Sequence, residues 1–141
     1  MARVIALPLA LALLLAGCKT PPAPPTKPQP ICAGGDVMIQ ATLWFGLSKP
    51  QGGTVSSLDW MNFVDKEVTP RFKQGLSVYE AKGQWLGEKG QLARENSKAL
   101  MLIHGINAES NAPIEALRSV YKKRFGQESV MRVDAPVCVS F

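Results

Sequence analysis

Residues 76–104 read LSVYEAKGQWLGEKGQLARENSKALMLIH, and how this stretch is read decides the fold. Leu76 to Leu86 has the composition of a strand, and Gly87-Glu88-Lys89-Gly90 is turn chemistry. Ala93 to His104 reads as another strand through the run Leu100, Met101, Leu102 and Ile103. Two strands joined by so short a turn pair as an antiparallel hairpin. The flanks of that hairpin then settle the class.

Upstream, Val37 to Leu47 alternates at the period of a strand. Ile39, Ala41, Leu43, Phe45 and Leu47 fall on one side, with Gln40, Thr42 and Trp44 on the other. Lys49-Pro50-Gln51-Gly52-Gly53 is a loop. Ser56-Ser57-Leu58-Asp59 supplies an N-cap with an acid three positions on. Leu58, Met61, Val64 and Val68 recur at helical spacing, so a helix with that stripe inward is expected, ending at Pro70. Downstream, Ala108 to Phe125 reads as a second helix with Ile114, Leu117, Tyr121 and Phe125 on one stripe. Gly126 is placed to cap it, and Ser129 to Val139 is the last strand.

The order is β-α-β-β-α-β, the split βαβ plan of ferredoxin-like α+β domains. Right-handed crossovers give a four-stranded antiparallel sheet in the order 4-1-3-2 with both helices on one face. Strands one and four are then antiparallel neighbours, so Cys32, just before strand one, lies beside Cys138 near the end of strand four. A disulfide between them is expected in an oxidising compartment; two separate buried thiols are the alternative. The plan leaves the other sheet face without helices. Yet strand three sets Ala99, Met101 and Ile103 against Leu100 and Leu102, and strand four carries Met131, Val133 and Ala135 on one side. Apolar residues on both faces need a second cover. A homodimer through the open face is the expectation, with another protein or a folded-back linker as alternatives.

The N-terminus reads as an export signal. Met1-Ala2-Arg3 is a short basic start and Val4 to Leu15 an apolar run. Twelve helical residues span about 18 Å, too little for a hydrocarbon core of about 30 Å, so residues 1–17 read as a cleaved signal peptide. Leu15-Ala16-Gly17-Cys18 fits the bacterial lipobox, in which the Cys becomes an acylated N-terminus. An ordinary signal peptide with an incidental Cys is the alternative. Acyl chains, at about 0.8 kcal/mol per buried methylene, anchor a protein stably in pairs or more. Lys19, where an Asp would favour inner-membrane retention, tips the sorting toward an outer membrane, facing the periplasm. Residues 19–30 hold six of the eleven prolines and form an extended tether of about 37 Å. The chain divides into a signal peptide (1–17), an acylated Cys with a Pro-rich tether (18–30) and a folded domain (31–141).

Composition removes several function classes. The 141 residues carry 16 Lys and Arg against 11 Asp and Glu, a net charge of +5, with three Cys and one His. Removing the signal peptide takes away Arg3 and leaves a net charge of +4. The remaining chain is too short for a large barrel enzyme and too apolar in its periodic stretches to be disordered. One His and three scattered Cys give no metal-ligand spacing, and Gly52-Gly53 lacks the Lys-Ser/Thr of a phosphate loop. No cofactor motif is present. Export argues against nucleic acid as a partner despite an isoelectric point near 9.3. His104 reads as a structural His at the end of strand three, with a general base or haem ligand as the alternative. Arg118, Lys122, Lys123 and Arg124 read as a solvated face of helix two, or as a contact for anionic headgroups or cell-wall polymer.

One polar constellation is left. The topology gathers Ser48, Gln84, Trp85, Arg94, Glu95, Arg124, Gln127 and Glu128 at one end of the sheet. They form either a small polar ligand pocket or a set of ion pairs and caps that hold the loops. No residue declares itself catalytic.

The phrases Trp44-Phe45-Gly46-Leu47-Ser48, Val68-Thr69-Pro70-Arg71-Phe72, Gly83-Gln84-Trp85, Glu95-Asn96-Ser97-Lys98 and the run Tyr121 to Val130 carry a resemblance. Nearly all of Cys32 to Phe141 resembles an uncharacterised bacterial lipoprotein family, domain of unknown function 3574. The resemblance implies the domain limits and an envelope setting, and brings no catalytic residue. Two function classes follow: a lipid-tethered binding or assembly module meeting a protein, glycan or small ligand, or a small enzyme on a dimeric ferredoxin-like scaffold.

Overall fold

The computed structural model describes residues 32–86 and 90–141. The signal peptide, Cys18, the Pro-rich tether and most of the turn at residues 87–90 lie outside the described residues. The strands are β1 (Asp36–Gly46), β2 (Ser77–Leu86), β3 (Leu92–His104) and β4 (Met131–Val139). They form one antiparallel sheet in the order β2-β3-β1-β4, which is the expected 4-1-3-2 arrangement seen from the other edge. The helices are α1 (Ser57–Phe63), which continues into a π turn at Val64–Val68, and α2 (Asn111–Phe125), approached through a 3-10 turn at Ala108–Ser110.

Alternation sorts the sheet into two faces. Ala41, Leu43 and Phe45 of β1 and Leu100 and Leu102 of β3 are buried against both helices. α2 contributes Ile114, Leu117, Tyr121 and Phe125, the stripe its sequence predicts. α1 corrects its prediction. Leu58 and Met61 are 63% and 54% exposed, while Trp60 and Phe63 enter the core. Burying two aromatics removes more apolar surface from water than burying Leu58 and Met61 would. The wider π turn then brings Val68, five residues after Phe63, back to the same side. The result is an aromatic cluster centred on Phe45, whose ring lies 4.6 Å from Tyr121, 5.4 Å from Trp60 and 5.6 Å from Phe63, centroid to centroid.

The ends of the elements are made by identifiable side chains. Ser56 Oγ accepts the Asp59 N–H at 3.1 Å, and Asp59 accepts the Ser56 N–H at 3.3 Å, the reciprocal pair of a capping box. Hydrogen bonds from Ser56 hold the Asp59 carboxyl below its usual range. Gly126 ends α2 with φ +67°, a conformation that penalises any Cβ. At the start of the domain, Cys32 and Cys138 are bridged with Cα atoms 5.5 Å apart, and Val37 stands opposite Cys138. The strand neighbourhood expected from the sequence is thus the one observed.

Candidate functional site

The open face of the sheet holds the site. Gly83 stands opposite Glu95, Gly46 opposite Ser97, and Trp85 opposite Ala93, while Trp44 lies between Ala99 and Met131. Alternation therefore puts Trp44, Gly46, Gly83, Trp85, Glu95, Ser97 and Met131 on one surface. Together with Ser48, Lys49 and Pro50 after β1, and Gln127, Glu128 and Ser129 after α2, they line an open cavity of about 800 Å3. Two strand glycines lie in its floor. A Cβ on Gly46 would come within 2.6 Å of the Glu95 carboxylate, so that glycine is fixed by Glu95. A Cβ on Gly83 would meet the Ser97 hydroxyl at 3.4 Å and the Glu95 side chain at 3.6 Å. Protein packing does not require a glycine at position 83.

Two carboxylates, Glu95 and Glu128, and one ammonium, Lys49, line the cavity beside hydroxyl and amide groups. Glu95 Oε2 accepts the Ser48 N–H at 3.3 Å, its single hydrogen bond among the described residues. Gln127 Nε2 donates to the Ser48 carbonyl at 2.6 Å and so pins the loop. Beneath the floor, the Tyr121 hydroxyl donates to the Gly46 carbonyl at 2.8 Å. Burial, and then the negative charge of Glu95, push that phenol well above its ordinary pKa. Ser97 is 7% exposed and lines the cavity without a side-chain hydrogen bond among the described residues.

The nearby cations are engaged elsewhere. Lys49 holds its ammonium 5.9 Å from the Phe125 ring centroid. Arg94 Nε donates to Gln84 Oε1 at 3.0 Å, and Arg124 pairs with Glu67 while lying over the Phe63 ring. Burial raises the Glu67 carboxyl, but hydrogen bonds from Arg124 and Arg71 outweigh it and hold the group below its usual range.

Of the constellation expected from the sequence, the cavity brings together Ser48, Gln84, Trp85, Glu95, Gln127 and Glu128. Arg94 and Arg124 do not line it. Arg94 follows Ala93 and precedes Glu95, so alternation turns it to the opposite face. Arg124 is taken by Glu67 of the π turn, an acid that the linear sequence gave no reason to place there. The sequence reading missed Gly46, Gly83, Ser97 and Met131. The available signal was a pair of glycines inside strands, which marks a close approach.

Other chemistry lies apart. Arg118 donates to the Val130 carbonyl at 3.0 and 2.8 Å and pairs with Glu115, so half of the basic run on α2 serves internal contacts. Hydrogen bonding from Arg118 and then Arg132 outweighs burial and lowers the Glu115 carboxyl. His104, at the far end of β3, places Nδ1 2.8 Å from the Gly105 carbonyl, and its buried Nε2 has no partner among the described residues. Among those residues no three His, Cys, Asp or Glu side chains converge as a metal site, and no helix is long and apolar enough to cross a membrane.

Two solved structures of a phage protein share this architecture. A phage SAM lyase in complex with S-methyl-5'-thioadenosine is 25% identical, with a TM-score of 0.56 over 73% of this chain and 83% of that one. A phage SAM lyase in the apo state is 24% identical, with a TM-score of 0.53 over 77% of this chain and 87% of that one. CutA from Synechococcus elongatus PCC7942 is 10% identical, with a TM-score of 0.49, 74% of this chain and 80% of that one being covered. No curated protein matches the sequence. Residues 40–141, well over half of the chain, match the family described as "Protein of unknown function (DUF3574)", and the chain belongs to that family.

Proposed function

We propose that this protein is a lipid-tethered envelope module whose open-face cavity binds a small molecule. The observation that carries the reading is the cavity itself: a basin of about 800 Å3 with two tryptophans, two carboxylates and two strand glycines in its floor. Such a mixture of flat apolar walls and a few fixed polar groups suits a small ligand better than a protein surface. The likeness to a phage SAM lyase holding S-methyl-5'-thioadenosine supports small-molecule use of this scaffold. Export and acylation at Cys18 place the module on a membrane surface, the outer membrane facing the periplasm being favoured by Lys19. The tether joins near the bridged Cys32, while the cavity sits at the other end of β1. Eleven residues of strand, about 35 Å, lie between the two, so the cavity is at the end of the domain remote from Cys32.

The test has two arms. Cys18→Ser should abolish palmitate labelling and move the protein from the membrane to the soluble fraction. In detergent-solubilised protein, S-methyl-5'-thioadenosine should shift the indole N–H resonances of Trp44 and Trp85 and leave that of buried Trp60 in place. Palmitate on the Cys18→Ser protein would defeat the tether, and shifts confined to Trp60 would defeat the site.

A second reading concerns the cover of the open face. Trp44, Tyr79, Trp85, Met131 and Val133 expose 36–56% of their surface there. A second copy of the chain would bury this patch, and would turn the module into the dimeric scaffold on which a small enzyme is the alternative function. Light scattering of the Cys18→Ser protein at micromolar concentration should give twice the monomer mass. A monomer would remove this reading and leave the cavity open.

A further inference from the structure

The cavity proposed above as a small-molecule site also has a sign. We infer that it selects a small organic cation carrying a flat ring, with Glu95 and Glu128 facing the charge, Trp44 and Trp85 facing the ring, and Gly83 as the gap the ring enters. The inference rests on the small-molecule reading and adds the ligand's chemistry to it.

Charge complementarity supports the cation. Glu95 and Glu128 both line the cavity, and neither takes an ion-pair partner among the described residues. Glu95 receives one long N–H contact from Ser48 and keeps acceptor capacity free. The nearby guanidinium groups and the Gln127 amide are committed to other partners, and the one ammonium in the lining leans on a ring. Lys49 lies toward Phe125, Arg94 toward Gln84, Arg124 toward Glu67, and the Gln127 amide donates to the Ser48 carbonyl. An anionic ligand would meet two carboxylates against the single ammonium of Lys49. A cationic ligand meets those carboxylates and the negative faces of two indoles, and both attractions strengthen as water is excluded.

The flat ring follows from the floor. Glycine weakens a strand, so it persists where something must approach the backbone. Gly46 is accounted for by the Glu95 carboxylate, which occupies the space its Cβ would need. Gly83 is not, because a Cβ there makes contacts near ordinary van der Waals distance. Position 83 lies one alternation step from Trp85 on the same face, with nearly buried Ser97 beside it. A slot bounded by an indole and floored by bare backbone fits a planar group. A ring in that slot brings its positive charge beside Glu95, directly across from Gly83.

The probes are 1-methylnicotinamide and nicotinamide, which share a ring and differ by one positive charge. Detergent-solubilised mature protein is titrated with each, and affinity is read from the Trp44 and Trp85 indole N–H shifts. The cation should bind at least tenfold more tightly. Glu95→Gln keeps the shape and the acceptor for Ser48, and should bring the cation down to the affinity of its neutral twin. Gly83→Val fills the slot with a residue that suits a strand, so it should abolish the shifts while the melting temperature holds or rises. Gly83→Ala, half as intrusive, should weaken binding at least fivefold and covers the case in which Val misfolds. Equal binding of the twins, or a preference for the cation that survives Glu95→Gln, overturns the inference on charge and leaves the small-molecule site intact. Binding undiminished in a folded Gly83→Val protein overturns the slot. If neither probe moves either indole while S-methyl-5'-thioadenosine does, this inference falls and the small-molecule reading stands.

Discussion

Phe45→Ala is expected to destabilise the domain by about 3–5 kcal/mol, the range for truncating a fully buried aromatic. Phe45 is completely buried and touches Trp60, Phe63 and Tyr121 edge to face, so its removal opens a void lined by three rings from both helices. Those rings cannot all collapse inward, because Tyr121 is tied through its hydroxyl to the Gly46 carbonyl. A cavity term therefore remains beside the lost transfer energy. The neighbouring Trp44 supplies the control. It is the larger residue, but it sits on the open face at 36% exposure. Trp44→Ala should cost clearly less than Phe45→Ala in urea unfolding followed by circular dichroism. Equal costs for the two would mean that the open face is covered in solution as thoroughly as the helical one.

This pair of residues also shows what a linear sequence can and cannot express. The period-two pattern of β1 separated Phe45 from Trp44, because a strand must send neighbours to opposite faces. The split βαβ plan with right-handed crossovers paired β1 with β4 and so brought Cys32 to Cys138. Periodicity misjudged α1 because helical spacing alone offers more than one stripe there. The choice between Leu58 with Met61 and Trp60 with Phe63 was made by tertiary packing and by a π turn, neither of which leaves a periodic mark. The candidate site was legible in the same uneven way. Trp85, Glu95, Gln127 and Glu128 could be gathered from topology, since all lie near one end of the sheet. Arg94 was assigned to the same end correctly but belongs to the other face, an error of one residue in alternation. Arg124 was lost to Glu67, a contact 57 residues away in sequence that depends on how the π turn is presented. Gly46 and Gly83 carried information as missing side chains, and became readable once strand register showed what stood beside each.

Loss of the Cys32–Cys138 bridge is the other large effect. The bridge joins residues 106 apart, and in the chain-entropy description a closed loop of about 100 residues contributes about 4.7 kcal/mol through the unfolded state. Native disulfides of small exported domains deliver about 2–5 kcal/mol, so the paired substitution Cys32→Ser with Cys138→Ser should reduce stability by that amount. The cost has a local component as well. β4 is an edge strand whose one sheet neighbour is β1, and the bridge fixes its C-terminal end at Cys138 to the segment leading into β1. Without it that end should fray first, with faster amide exchange at Val137 and Val139 than at Val133. The cavity lies at the opposite end of β1, where Trp44 pairs with Met131, and the bridge touches none of its residues. Stability and site geometry should therefore separate: unfolding shifts to lower urea, while the indole N–H positions of Trp44 and Trp85 stay as in the bridged protein. Displacement of those two resonances in the folded double variant would show instead that the two ends of β1 are mechanically coupled, so that strain at Cys32 would be felt at the cavity.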